Sequence, residues 1–116
     1  MARFGLLFTP SYRVVTDEPI IYQRYLEILT DGGNPEILRN NRGGWPVPDD
    51  IKWNVYQWDD VFSNNDIYKG GWAGQGLLIN PDRDLVAVWV GYDAATEGVI
   101  NAFGPVREVL EGVFRE

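Results

Sequence analysis

The spacing of apolar residues changes along the chain, and each change marks a new element. Phe4, Leu6, Leu7 and Phe8 crowd the first eight residues, and Thr9-Pro10 stops the run before a signal-peptide core develops; it reads as a short amphipathic or buried segment. Thr16-Asp17-Glu18-Pro19 joins a capping side chain, acidic residues and a proline, the signature of a helix start. Ile21, Tyr25, Ile28 and Leu29 then fall on one helical face, and Gly32-Gly33 supplies the stop. Asn34-Pro35-Glu36 repeats the start signal for a shorter helix through about Arg39. Gly43, Gly44, Pro46 and Pro48 break any regular pattern between Asn40 and Pro48, which reads as a loop and internal hinge.

Beyond the hinge the period shortens to two. Trp53 to Trp58 alternates large and polar residues and predicts a strand, while polar Asp59 to Asp66 reads as a connection. Two or three antiparallel strands are predicted over Tyr68 to Trp72, Gln75 to Ile79 and Leu85 to Tyr92, with a tight turn at Asn80-Pro81-Asp82-Arg83-Asp84. Leu85 to Val90 does not alternate, so both faces of that strand are expected to be covered. One cover is a C-terminal helix opened by Gly104-Pro105, with Val106, Val109, Leu110, Val113 and Phe114 on one stripe. The predicted class is α+β, an antiparallel sheet of about three strands with a C-terminal helix and N-terminal helices. It forms one domain over 1–116, divided into a helical segment 1–40, a loop 41–52, and sheet plus helix 53–116.

Composition narrows the chemistry. The 116 residues carry 17 acidic and 10 basic side chains, a formal net charge of -7 without any basic cluster, so nucleic acid and anionic membrane surfaces are not expected partners. No apolar run is long enough for a membrane span, and the compartment stays open. Without Cys there is no disulfide, thiolate nucleophile or cysteine metal site, and without His there is no Ser-His-Asp triad. Any chemistry must use Lys, Tyr, Ser or carboxylates, and no cofactor or metal is implied.

Lys69-Gly70-Gly71-Trp72 is the stretch that most suggests a site. A lysine on a strand facing a cleft offers a point charge to a substrate carboxylate or developing anion. Small glycines let another backbone approach, and a strand edge presents oriented N–H donors. From Tyr68 through Gly76, Asn80-Pro81-Asp82-Arg83-Asp84 and on to Trp89, the chain resembles the last active-site strand and following hairpin of serine β-lactamase-like hydrolases. That family includes class C β-lactamases, penicillin-binding-protein-like esterases and the 6-aminohexanoate-dimer hydrolase type. Lys69-Gly70-Gly71 stands where the family carries Lys-Thr-Gly or a variant of it.

The resemblance implies the C-terminal part of the β-lactamase/transpeptidase fold, acting on amide or ester bonds in full-length members. It implies substrate contacts at Lys69, Gly70, Gly71 and Trp72, with Lys69 acting electrostatically and the Trp72 N–H as an oxyanion-hole donor. It also implies that the sheet is completed by strands from an N-terminal part. The family's Ser-x-x-Lys nucleophile motif has no counterpart: Ser11 precedes Tyr12-Arg13-Val14 and Ser63 precedes Asn64-Asn65-Asp66. Ser63-Asn64-Asn65 matches the second motif only in form, lying too close to Lys69. The chain alone is therefore expected to be inactive, and its expected partners are the nucleophile-bearing segment or further copies of itself.

Plainer readings stand beside these. The five tryptophans, Trp45, Trp53, Trp58, Trp72 and Trp89, suit a core better than a sugar-stacking platform. Asn80, Asp82 and Asp84 suit a hairpin turn better than a cation loop. Asp49-Asp50 and Asp59-Asp60 read as solvated surface, and Lys69 as a strand-edge charge that discourages aggregation. A small non-catalytic binding or interaction module is the alternative to the hydrolase segment.

Overall fold

The computed structural model describes residues 1–37, 49–71, 74–90 and 103–113. Helix α1 (Ala2–Leu6) leads into a 3-10 turn at Pro10–Val14. Thr9 makes the junction: its hydroxyl accepts from the Ser11 N–H and donates to the Leu6 carbonyl. Helix α2 (Gln23–Asp31) starts later than the Thr16–Pro19 signal predicts, with Tyr22 extended just before it and no side-chain cap. Packing, and not the start signal, sets its position, since Ile21, Tyr25, Leu26 and Leu29 all meet the core. Gly32 ends it as predicted, donating its N–H to the Ile28 carbonyl. Asn34 accepts from the Glu36 N–H at 3.0 Å and opens a further turn; the predicted helix end at Arg39 and the hinge with Trp45 lie outside the described residues.

Among the described residues the sheet has five antiparallel strands, β1 (Ile51–Val55), β2 (Trp58–Phe62), β3 (Ile67–Gly70), β4 (Gly76–Asn80) and β5 (Leu85–Trp89), arranged side by side in chain order. The sheet exceeds the three or so strands predicted in part because the single strand read over Trp53–Trp58 crosses a hairpin. Tyr56 and Gln57 take φ values of 47° and 69°, a two-residue turn in the left-handed region where glycine or asparagine usually signals the bend. The Tyr56 ring stacks on Tyr25 with centroids 5.7 Å apart, a contact that offsets some of the conformational cost. Half of the predicted connection, Asp59 to Phe62, is therefore strand β2. Likewise Ile51 and Lys52, read as loop, begin β1.

Alternation also fails across β1 and β2, because the register shifts twice. Val55 faces Trp58 and Trp53 faces Val61, which leaves one extra residue in β2; Ile51 then faces Phe62, which leaves one extra in β1. The first bulge lets Trp58 and Val61 share a face. That face joins Ile67, Leu77 and Ile79 with Phe8 and Leu29 in the main core. Helix α1 lies across β4 and β5, where a Cβ on Gly5 would come within 2.5 Å of a Val86 methyl. Ser11 fastens the N-terminal segment to the β4–β5 turn: its hydroxyl donates to Asp84 Oδ2 at 2.6 Å and its N–H to Oδ1 at 3.0 Å. These bonds, the hydroxyl's foremost, hold the Asp84 carboxyl below the usual carboxylate range.

The strand covered on both faces is β4, every residue of which is buried, and not β5. At the edge of the described sheet Val88 of β5 is 36% exposed, and Val90, just past the strand, is 78% exposed. The C-terminal helix α3 (Phe103–Val113) also differs from its predicted role, for Val109 and Val113 point to solvent and Phe114 lies outside the described residues. Its anchor is a cation. Arg107 sits over the Phe62 ring at 4.1 Å and its guanidinium reaches Asp50 at 2.7 Å and Asp66 at 3.4 Å. No described helix is long and apolar enough to cross a membrane.

Candidate functional site

Lys69 stands near the end of β3 remote from the β2–β3 turn. It shares a cross-strand row with Leu77 and Val88 on the face that carries Ile67. These three, with Met1, Gly70, Gly71, Gln75, Gly76, Trp89 and Val90, line a cleft. The cleft holds about 80 Å³. Small-molecule sites usually enclose about 300–1,000 Å³, so these walls alone form a notch and not a substrate pocket.

The Lys69 side chain is 43% exposed, and its ammonium donates to Asp59 Oδ1 at 2.6 Å. The second oxygen of Asp59 accepts from the Gly70 N–H at 2.7 Å. One carboxylate thus holds the charge and the first backbone donor of the motif together. The Gly71 N–H donates to the Gln75 carbonyl at 2.9 Å. Neither glycine N–H is left as an open strand-edge donor. The space above Gly70 is taken as well, since a Cβ there would meet the Tyr68 hydroxyl at 2.7 Å and Asp59 Oδ2 at 3.2 Å. Close packing within the chain accounts for this glycine. Trp72, whose N–H the resemblance makes an oxyanion donor, lies outside the described residues.

Asp59 is the residue that sequence reasoning misses. Read as solvated surface, Asp59-Asp60 instead sits in β2, with Asp60 buried. The apolar Val61-Phe62 directly after the pair was the available signal of a strand. Tyr68 completes this environment, its ring stacked on Trp89 at 5.9 Å. Burial, reinforced by Asp59 and Asp60, raises its phenol above the ordinary value. Asp50, also read as solvated, pairs with Arg107.

The remaining candidates go elsewhere. Ser63-Asn64-Asn65 forms the turn at the opposite end of β3, and the Asn64 side chain receives the Asp66 N–H. Asn80 is buried and donates to Asp66 and to the Asn64 carbonyl, Asp82 accepts from Asn65, and Asp84 accepts from Ser11. These three side chains serve separate partners and do not converge. Trp58 is core, Trp53 packs against it, and Trp89 lies on the opposite face with Tyr68, so these three do not share one platform.

A larger groove, about 690 Å³, opens between the N-terminal segment, α2 and the turns at Asn65 and Asp82. At its polar end Lys52 donates to the Thr30 carbonyl at 2.5 Å and to Asn65 Oδ1 at 2.8 Å, its ammonium over the Trp53 ring. Burial lowers the Lys52 pKa against the opposing pull of Asp31 and Asp82. The fold and these sites define an α+β protein with an open five-stranded antiparallel sheet. Compared with known proteins the chain has no match: no family model, no curated protein and no solved structure aligns with it.

Proposed function

We propose that the chain is the C-terminal portion of a β-lactamase-like serine hydrolase, in which Lys69 contributes its charge to amide or ester hydrolysis when a nucleophile-bearing segment is supplied. The observation that carries this reading is Lys69 on an inner strand beside a cleft, followed in order by the β4–β5 hairpin and a C-terminal helix. The role of Lys69 is electrostatic and that of Trp72 is to donate its N–H, both as the resemblance implies. Alone, the chain has neither Ser-x-x-Lys nor histidine to activate a hydroxyl. A fluorophosphonate probe is expected to leave Ser11 and Ser63 unlabelled, with chromogenic esters hydrolysed at the background rate; labelling of either serine overturns this. Reading the coding DNA upstream of Met1 for an in-frame Ser-x-x-Lys tests the family reading itself.

A non-catalytic binding module is the second reading, favoured by one observation: Asp59 already engages both Lys69 and the Gly70 N–H. In either reading the edge of β5 invites association. Among the described residues no strand pairs with its outer side, and Leu85 to Val90 contains no charged residue or proline to discourage pairing. We expect a homodimer or higher oligomer. Sedimentation velocity at micromolar concentration checks this, and a monomer with no concentration dependence refutes it.

A further inference from the structure

We propose that the groove between α2 and the N-terminal segment binds a small organic monocation, a protonated amine carrying an aromatic or aliphatic body. The inference does not depend on the hydrolase reading. The groove's volume of about 690 Å³ lies within the usual range for small-molecule sites. Leu7, Phe8, Ile21 and Leu26 give it an apolar wall. Every charged residue lining it is acidic: Glu27, Asp31 and Asp82.

These carboxylates differ in what they already hold. Arg24 lies 3.6 Å from Glu27, whereas among the described residues neither Asp31 nor Asp82 is in a salt bridge. Lys52, the cation at this end, donates to the Thr30 carbonyl and the Asn65 side chain, and its charge acts on Asp31 and Asp82 from a distance without forming an ion pair with either. Asp82 is oriented in advance, because one of its oxygens accepts from Asn65 Nδ2 at 2.7 Å. An anion entering here would meet like charge, in a chain whose formal net charge is already -7. A neutral apolar molecule would fill the wall and leave the carboxylates to water. A monocation with an apolar body complements both ends.

The test titrates the full chain with 2-phenylethylammonium, 2-phenylethanol and 3-phenylpropionate, following backbone amide shifts. The ammonium is expected to move the amides of Leu26, Thr30, Asn65 and Asp82 and to bind about fivefold more tightly than the alcohol. The carboxylate is expected to leave those amides in place. In the variant Asp31→Asn/Asp82→Asn the advantage over the alcohol should fall to about twofold or less, with spectral dispersion reporting an intact fold. Equal binding of ammonium and alcohol overturns the proposal. So do carboxylate shifts at the same amides, ammonium shifts spread over remote acidic residues, an unchanged preference in the variant, or no binding at all.

Discussion

Replacing Asp66 by alanine is expected to destabilise the protein by about 3–5 kcal/mol, the usual cost of removing one partner from a buried charge pair. Asp66 is nearly inaccessible, and its two oxygens have different work. Oδ1 accepts from the fully buried Asn80 side chain at 2.8 Å; Oδ2 accepts from Asn64 at 3.0 Å and faces Arg107 Nε at 3.4 Å. The alanine removes all of these at once. It weakens the β2–β3 turn, takes an acceptor from a buried amide on β4, and leaves the Arg107 cation with the more exposed Asp50 and Glu111. Asp66→Asn should cost less, since an amide oxygen still serves Asn80. A chain of 116 residues has a stability of roughly 6–17 kcal/mol, so the alanine variant should show a clear fall in urea midpoint at unchanged slope. A loss below about 1 kcal/mol would show that the network is replaceable by water.

Leu29→Ala should cost about 2–5 kcal/mol, towards the upper end. Leu29 is fully buried beneath the nine-residue helix α2, a length at which an isolated helix is not stable in water. The helix is held by what it buries, and by Trp53, whose indole N–H donates to the Leu29 carbonyl at 2.8 Å. Three of its neighbours in the core, Val61, Ile67 and Leu77, belong to hydrogen-bonded strands that cannot close over a cavity. Tyr22→Ala, at a position 75% exposed on the same segment, is the control and should change stability by no more than about 0.5 kcal/mol. Urea denaturation of the two variants side by side separates burial from helix propensity.

The parts of the fold that could be read from sequence are those with local signals. The Ile21, Tyr25, Leu29 face and the Gly32 stop describe α2, and Asn80-Pro81 announces the β4–β5 turn. The β1–β2 hairpin was hidden because Tyr56 and Gln57 bend the chain without glycine or asparagine, with a tertiary stack on Tyr25 supporting the bend. Two register shifts then erased the alternation that would have marked β2. The apolar character of Leu85 to Val90 suggested a central strand, yet apolar residues can sit on an edge, and Gly76 to Asn80 took the central place. At the candidate site, the Lys69-Gly70-Gly71 run draws attention to Lys69 in the sequence. Asp59 draws none, because its meeting with Lys69 requires β2 and β3 to be paired, and β2 had been read as a connection.

The strand order also governs how the protein reaches its native state. Among the described residues each strand pairs with its neighbours in sequence, so residues 51–89 can assemble hairpin by hairpin, with little chain entropy lost in closing each loop. The N-terminal segment must instead cross a long interval: Ser11 meets Asp84 73 positions away, and Gly5 meets Val86. The meander is thus expected to form the transition state, with the first helix docking afterwards. Mutations in the N-terminal segment that carries α1 and Phe8 should speed unfolding and leave the refolding rate nearly unchanged, whereas truncating Ile67 or Ile79 should slow refolding. Stopped-flow chevrons for Phe8→Ala and Ile79→Val distinguish this sequence of events from its reverse.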